Sequence, residues 1–100
     1  MSDQPKIPPA GPQLQIELDE ATAQGAYCNL VFLNHTDAEF TFDFVYVQPG
    51  APRARVRSRI ISSPRHAKRL LRALEANIAR YEQAFGQIDE SAPSDPSQVS

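Results

Sequence analysis

The residues best suited to chemistry in this sequence are cations that cluster in one segment. From Arg53 to Arg72 the chain has eight arginines and lysines, one histidine and no acid, whereas residues 1–50 have one lysine and seven acids. Guanidinium and ammonium groups bind phosphate oxygens, and a helix that starts within this segment adds free N–H groups. The segment is therefore a candidate surface for phosphates or an acidic partner, formed by Arg55, Arg57, Arg59, Arg65, His66, Lys68, Arg69 and Arg72, with Arg53 beside them.

The same cations have another role open to them, which is to pair with acids of the protein itself. The net charge is -2 and the sequence pI is about 5.6, which is not typical of a dedicated nucleic-acid binder. Glu17, Asp19 and Asp43 are available as partners within or between subunits. We predict such pairing and keep nucleic-acid binding as the alternative.

Other reactive residues indicate no catalytic, metal or cofactor site. His35, Asp37 and Glu39 are spaced two apart near a turn, but no further ligand is close in sequence. The lone thiol, Cys28, lies in an apolar run, where desolvation opposes thiolate formation. No phosphate-binding glycine loop, catalytic triad order or metalloprotease motif is present, so we predict a protein that is not an enzyme and has no cofactor.

Hydrophobic patterning predicts four strands, which must position these residues. Three segments alternate or carry one apolar face, and one is apolar on both faces. Short, turn-rich links predict an antiparallel meander. The strands are expected at residues 14–19, 26–33, 39–47 and 53–61.

A long helix is predicted to follow the strands. Ser63 is a good N-cap and Pro64 suits the first helical position, while Gly86 suits the end of the helix after Phe85. Apolar residues recur at spacings of three and four along about 22 residues. They are Ala67, Leu70, Leu71, Leu74, Ile78, Tyr81 and Phe85.

The helix is expected to cover one face of the sheet, the face that carries the aromatic row Phe40, Phe42, Phe44 and Tyr46. The third and fourth strands are expected to form a hairpin in which this row shares its face with Ala54, Val56, Ser58 and Ile60. In such a hairpin the numbers of two paired residues add to an even value. This register places Asp43 beside Arg57 or Arg59. The opposite face stays apolar, so we predict that a second copy covers it through Cys28, Leu30, Phe32, Val45, Val47 and Ile61.

The chain ends are predicted to be tails around a single α+β domain. Residues 1–12 and 89–100 are rich in Pro, Ser, Asp and Gln and poor in large apolar residues, which leaves residues 13–88 as the folding unit. A unit of this size gains stability by association. No apolar run is long enough to cross a membrane and no signal peptide is evident, so the expected location is the cytoplasm.

Several blocks of this sequence resemble a known family. Residues 27–29, the FTFDF block at 40–44 and the SPRHAKRLL block at 63–71 are similar to short bacterial proteins grouped as domain-of-unknown-function family 3467. The resemblance spans about residues 14–88 and implies a small unit of a β-meander plus a helix. It implies no activity, cofactor or site residue. The strand-plus-helix plan is also similar to that of SecB-type chaperone protomers, by architecture alone.

We therefore predict a non-enzymatic homo-oligomer, a dimer or higher, that binds another macromolecule such as a protein. Nucleic-acid association through the basic segment and SecB-like binding of unfolded segments are the alternatives.

Overall fold

The computed structural model describes residues 14–91 and shows an α+β fold. A one-turn helix, α1 (Glu20–Ala23), precedes the strands β1 (Leu30–His35), β2 (Phe40–Val47) and β3 (Ala54–Ser62), and the long helix α2 (Pro64–Phe85) follows them. The three strands form one antiparallel sheet in the order β1-β2-β3. The predicted α+β class with a C-terminal helix is confirmed.

The predicted first strand at residues 14–19 is wrong, since the structure has three strands within its described part. This segment forms no part of the described sheet, and Leu14 and Ile16 are exposed. Asp19 instead caps α1, because its Oδ1 accepts a hydrogen bond of 3.0 Å from the Thr22 amide. Alternating apolar and polar residues form a strand only where a neighbouring strand offers its backbone groups for pairing. No strand of the described sheet pairs with this segment.

The second predicted strand begins later than expected, at Leu30 instead of residue 26. Asn29 explains how the edge begins: its side chain donates to the Val47 carbonyl at 3.1 Å and accepts from the Val47 amide at 2.8 Å. The carboxamide thus takes the place of a strand backbone at the end of β2.

The register divides the sheet into two faces. Phe40, Phe42, Phe44 and Tyr46 share one face, which we call the aromatic face, with Val31, Leu33 and His35 of β1. Thr41, Asp43, Val45 and Val47 share the opposite face with Leu30, Phe32 and Asn34. Phe42 and Val45, one on each face, are the buried apolar residues of this central strand.

The predicted hairpin register holds along only part of β3. Phe42 pairs with Ile60 and Asp43 with Arg59, so the paired residue numbers add to an even value as predicted. A β-bulge then follows between Phe44 and Val45. Beyond the bulge Val56 pairs with Val45. Val56 and Ala54 therefore belong to the opposite face and not to the aromatic face as expected, because one extra residue reverses the alternation.

The predicted ends of the long helix are confirmed. α2 has 22 residues from Pro64 to Phe85, and the Ser63 side chain accepts a hydrogen bond from the His66 amide. At the other end Gly86 has φ of 96° and its amide donates to the Glu82 carbonyl at 2.9 Å. Local capping signals are sufficient to set both ends.

The expected packing of α2 on its own sheet is wrong. Within the described residues, extensive contacts between elements join β1 to β2 and β2 to β3, and no helical residue is buried. The helix begins two residues after β3 ends, with Ser63 as the only link. One residue spans at most about 3.6 Å, whereas packed layers lie about 10 Å apart, so this link is too short for α2 to turn back over its own sheet.

Both predicted tails lie largely outside the described residues: residues 1–12 entirely, and residues 92–100 of the C-terminal one. In the described part, no helix has the length and apolar content needed to cross a membrane.

Candidate functional site

The most distinctive concavity in the described structure lies at the end of the β2–β3 hairpin. It is an open groove of about 570 Å³, lined by Tyr46 and Gln48 from one strand end and by Arg53, Arg55 and Arg57 from the other. No carboxylate lines this groove. We call these five residues the arginine groove.

The β-bulge and the hairpin turn place the arginines. Arg55 pairs with Tyr46 across the sheet and so lies on the aromatic face, where an unbulged register would place Val56. The turn is closed by hydrogen bonds from the Gln48 amide to the Arg53 carbonyl and from the Arg53 amide to the Ala51 carbonyl. The groove therefore lies on hydrogen-bonded backbone.

Tyr46 lies at the centre of an aromatic and cationic cluster. The guanidinium carbon of Arg57 is 5.2 Å from the centroid of the Tyr46 ring, within cation–π range. The Tyr27 ring meets the Tyr46 ring edge-on at a centroid distance of 6.2 Å. These contacts bring one guanidinium group and two aromatic rings together at the groove.

Arg59 differs from the groove arginines because it is paired within the chain. Its Nε donates to Asp43 Oδ1 at 2.7 Å and its Nη2 to Asp43 Oδ2 at 3.0 Å, a two-point contact. The Arg59 hydrogen bonds lower the pKa of Asp43, although burial of this carboxyl opposes the effect. The same contact raises the pKa of Arg59. On the opposite face, this arginine thus neutralises a nearly buried acid.

The helical cations form a separate group. Arg72 contacts Glu75 at 3.5 Å on an exposed surface. The other helical candidates lie in the first two turns of α2, beyond the far end of β3 from the arginine groove: Arg65, His66, Lys68 and Arg69. The eight cations grouped by the sequence therefore lie in different places: at the groove, in the Asp43 pair and along the start of α2.

The expected oligomer interface falls on one face of the sheet. Leu30, Phe32, Val45, Val47 and Ile61 all belong to the opposite face, and Cys28 lies half-buried just before β1. The side chains of Phe32 and Ile61 are 52% and 57% exposed. Apolar exposure is not confined to this face, because Leu33 on the aromatic face is 61% exposed.

The histidine and acids near the β1–β2 turn form no metal site. The His35 ring stacks on Phe40 at 5.3 Å, and Thr36 organises the turn by accepting from the amides of Ala38 and Glu39. The described residues include no group of three His, Cys, Asp or Glu side chains placed to hold a metal ion.

Sequence reasoning missed Tyr46 and Gln48 as members of a polar groove. Tyr46 was assigned to the helix-covered core because it alternates with three phenylalanines. Its place at the end of the row, next to the hairpin turn, is the signal that separates it from them. The bulge that brings Arg55 and Arg57 to it depends on the pairing of two strands, so alternation within one strand does not reveal it.

Comparisons with known proteins give one family and no individual relative. Residues 1–90 match the family described as Protein of unknown function (DUF3467). No significant match is found among curated proteins or among solved structures.

Proposed function

The chain belongs to the DUF3467 family, whose description assigns no activity, and we propose that it works as a non-enzymatic, homo-oligomeric binding protein. In this proposal the α2 helix of one copy packs on the sheet of another. A cytoplasmic location and a macromolecular client remain predictions of the sequence.

The exposed apolar stripe of α2 carries the proposal. Leu70, Leu74, Ile78, Tyr81 and Phe85 lie along one side of the helix, and their exposed fractions run from 39% for Ile78 to 76% for Phe85. A helix with one apolar side derives most of its stability from packing that side against another element. The stripe therefore requires a partner surface.

The link between β3 and α2 directs the stripe away from its own sheet. Ser63 has extended backbone angles, φ of -77° and ψ of 159°, which suit a residue that precedes a proline. Its side chain and carbonyl accept hydrogen bonds from the amides of His66 and Ala67. Turning α2 back onto its own sheet would need either a longer link or the loss of this cap.

A second copy supplies the surface that the stripe needs. The sheet has exposed large apolar residues on both faces, such as Leu33 and Ile60 on the aromatic face and Phe32 and Ile61 on the opposite face. Helix and sheet are thus complementary parts of one chain that do not meet within it. Exchange of an element between identical copies is a common solution to this geometry.

The energies are of the right size for a stable dimer. Burying the half-exposed part of a large apolar side chain contributes about 1 kcal/mol, so five such side chains in each of two copies contribute roughly 10 kcal/mol. Micromolar association corresponds to a net of about 8 kcal/mol after the costs of association, which the apolar area buried at the same time on the two sheets helps to offset.

Multi-angle light scattering with size-exclusion chromatography tests the proposal. The wild-type protein should elute with a mass at least twice that of its 11.1 kDa chain. Leu74→Glu places a charge in the stripe with little change in helix propensity and should dissociate the oligomer. Ala76→Glu, which adds the same charge on the other side of the helix, should not.

A monomeric wild-type protein at micromolar concentration would contradict the proposal, as would an oligomer that Leu74→Glu leaves intact. Adjacent residues of β1 then report which face is covered: Leu33→Asp disrupts the oligomer if α2 of the partner lies on the aromatic face, and Phe32→Asp does so if it lies on the opposite face.

A further inference from the structure

The arginine groove lies at the hairpin turn, at the end of β3 away from α2, and its chemistry is distinct from that of the apolar surfaces. Three guanidinium groups line one concavity with no carboxylate among its lining residues. Within the described part of the chain, Arg53, Arg55 and Arg57 also form no ion pair with an acid. A concavity that gathers like charges without neutralising them attracts an anion.

The structure contrasts these arginines with Arg59 on the same strand. Arg59 is bound at two points by a carboxylate that is only 6% exposed, so its charge is already balanced. No acid of β2 lies at the end of the strand where the groove is, since Tyr46 and Val47 face Arg55 and Ala54 there. The groove charges therefore remain available to a ligand.

The aromatic part of the groove narrows the class of anion. The Arg57 guanidinium lies over the Tyr46 ring, and Tyr27 supports that ring from its edge. A guanidinium that lies over an aromatic ring presents its outer face to a nucleobase for stacking, while the neighbouring guanidinium groups bind phosphate. The side-chain amide of Gln48 adds a donor and an acceptor for a base edge.

The open form of the groove also suits this ligand, because it allows a chain to pass through. Double-stranded nucleic acid presents its bases only in grooves, whereas a single strand presents free base faces for stacking.

From this combination of guanidinium groups without an acidic partner and a guanidinium that lies over an aromatic ring, we propose that the arginine groove binds single-stranded nucleic acid, with phosphates on Arg53 and Arg55 and a base against Arg57 and Tyr46. This proposal does not depend on oligomer formation by α2.

Fluorescence anisotropy of a labelled oligouridylate of about 12 nucleotides, titrated with the full chain, tests it. Binding should be measurable at about 50 mM salt and weaken steeply by about 200 mM. The double variant R55A/R57A should bind about tenfold more weakly, and its slope of log affinity against log salt should become shallower by about 0.7, since it loses the single phosphate contact of Arg55 and each single-strand contact contributes about 0.7.

Two further variants separate groove binding from diffuse attraction. R65A/R69A removes the same charge from the start of α2 and should leave the affinity nearly unchanged. Tyr46→Leu removes the ring and should bind about tenfold more weakly as stacking is lost. Circular dichroism confirms that each variant retains the fold.

Three results would overturn the proposal: no binding at low salt, an equal loss in R55A/R57A and R65A/R69A, or equal displacement of the oligonucleotide by polyglutamate at matched charge. The last result would assign the groove to an acidic polypeptide instead. The oligomeric state is measured separately by light scattering. A failure of the groove to bind nucleic acid therefore does not bear on the proposal that the protein is an oligomer.

Discussion

Asp43 is a nearly buried carboxylate in the central strand, and one arginine satisfies it. Both of its oxygens accept hydrogen bonds from Arg59, whose own side chain remains largely exposed. Burial of a charge is costly unless it is paired, and this contact lowers the pKa of the carboxyl despite its burial. The Asp43–Arg59 contact therefore favours the observed register of β2 and β3, because a slip of one residue would leave Asp43 without its partner.

Acid should destabilise the protein partly through Asp43. Because its pKa in the folded state lies below the ordinary 3.8, the carboxylate stabilises the fold above that pH and loses this effect as pH falls through the lowered value. Asp43→Asn removes the titrating group. Urea unfolding at a series of pH values should show a smaller loss of stability below pH 3.8 in Asp43→Asn than in the wild type.

The Arg59→Gln variant provides the control. Without the guanidinium, burial alone acts on Asp43 and raises its pKa, so this carboxyl should no longer favour the folded state as pH rises through 3.8. Identical acid sensitivity in the wild type, Asp43→Asn and Arg59→Gln would show that the pair does not set the pH dependence.

At the scale of elements, α2 is specified locally at both ends. The Ser63 hydroxyl satisfies the His66 amide, and Gly86 leaves the helix with φ of 96° and ψ of 165°, a region essentially open only to glycine. A Cβ at Gly86 would meet no atom within 4 Å, so its cost would come from the backbone alone.

Substitution at the helix ends should therefore have moderate and separate effects. Gly86→Ala should lower the free energy of unfolding by about 1–3 kcal/mol through strain. Ser63→Ala should lower it by about 0.5–2 kcal/mol through the lost cap. Thermal or urea unfolding at fixed protein concentration measures both, and Gln87→Ala, next to Gly86 but outside the helix, serves as the control. No effect of Gly86→Ala would show that the helix end rearranges freely.

The strands show why the sequence predicts some elements better than others. β2 and α2 follow from local patterns, since eight residues of β2 alternate and α2 has caps at both ends. The segment at residues 14–19 alternates as well as a strand but has no neighbour in the sheet. The bulge in β3 also depends on pairing. The sequence therefore predicted Asp43 beside Arg57 or Arg59, of which the structure has Arg59, but not the shared position of Arg55 and Tyr46.

At the scale of the whole molecule, the single residue Ser63 between β3 and α2 limits how the helix can lie relative to the sheet. The sequence predicted a helix with one apolar side and a sheet with apolar faces, and it predicted that the two pack together within one chain. The length of the link, Ser63 alone between β3 and α2, prevents that arrangement. Apolar area indicates which surfaces favour contact, whereas the connection determines whether one copy can bring its own helix and sheet into contact.

If the protein associates through α2 as proposed, lengthening this link should make it a monomer. An insertion of about five Gly and Ser residues between Ser62 and Ser63 adds up to roughly 17 Å of reach, more than the 10 Å or so that separates packed layers. α2 can then turn back and bury its stripe on its own sheet, with Ser63 still capping it. Light scattering should give the mass of a single chain, and the unfolding midpoint should become independent of protein concentration.

The same insertion between Pro49 and Gly50, in the β2–β3 turn, is the matched control and should leave the oligomer intact. It lengthens the chain equally without altering the path from sheet to helix. If the insertion before Ser63 leaves the oligomer unchanged, the short link does not drive association, and another contact between copies must hold them together. A closed monomer would show that helix and sheet of one chain fit each other and that only their connection keeps them apart.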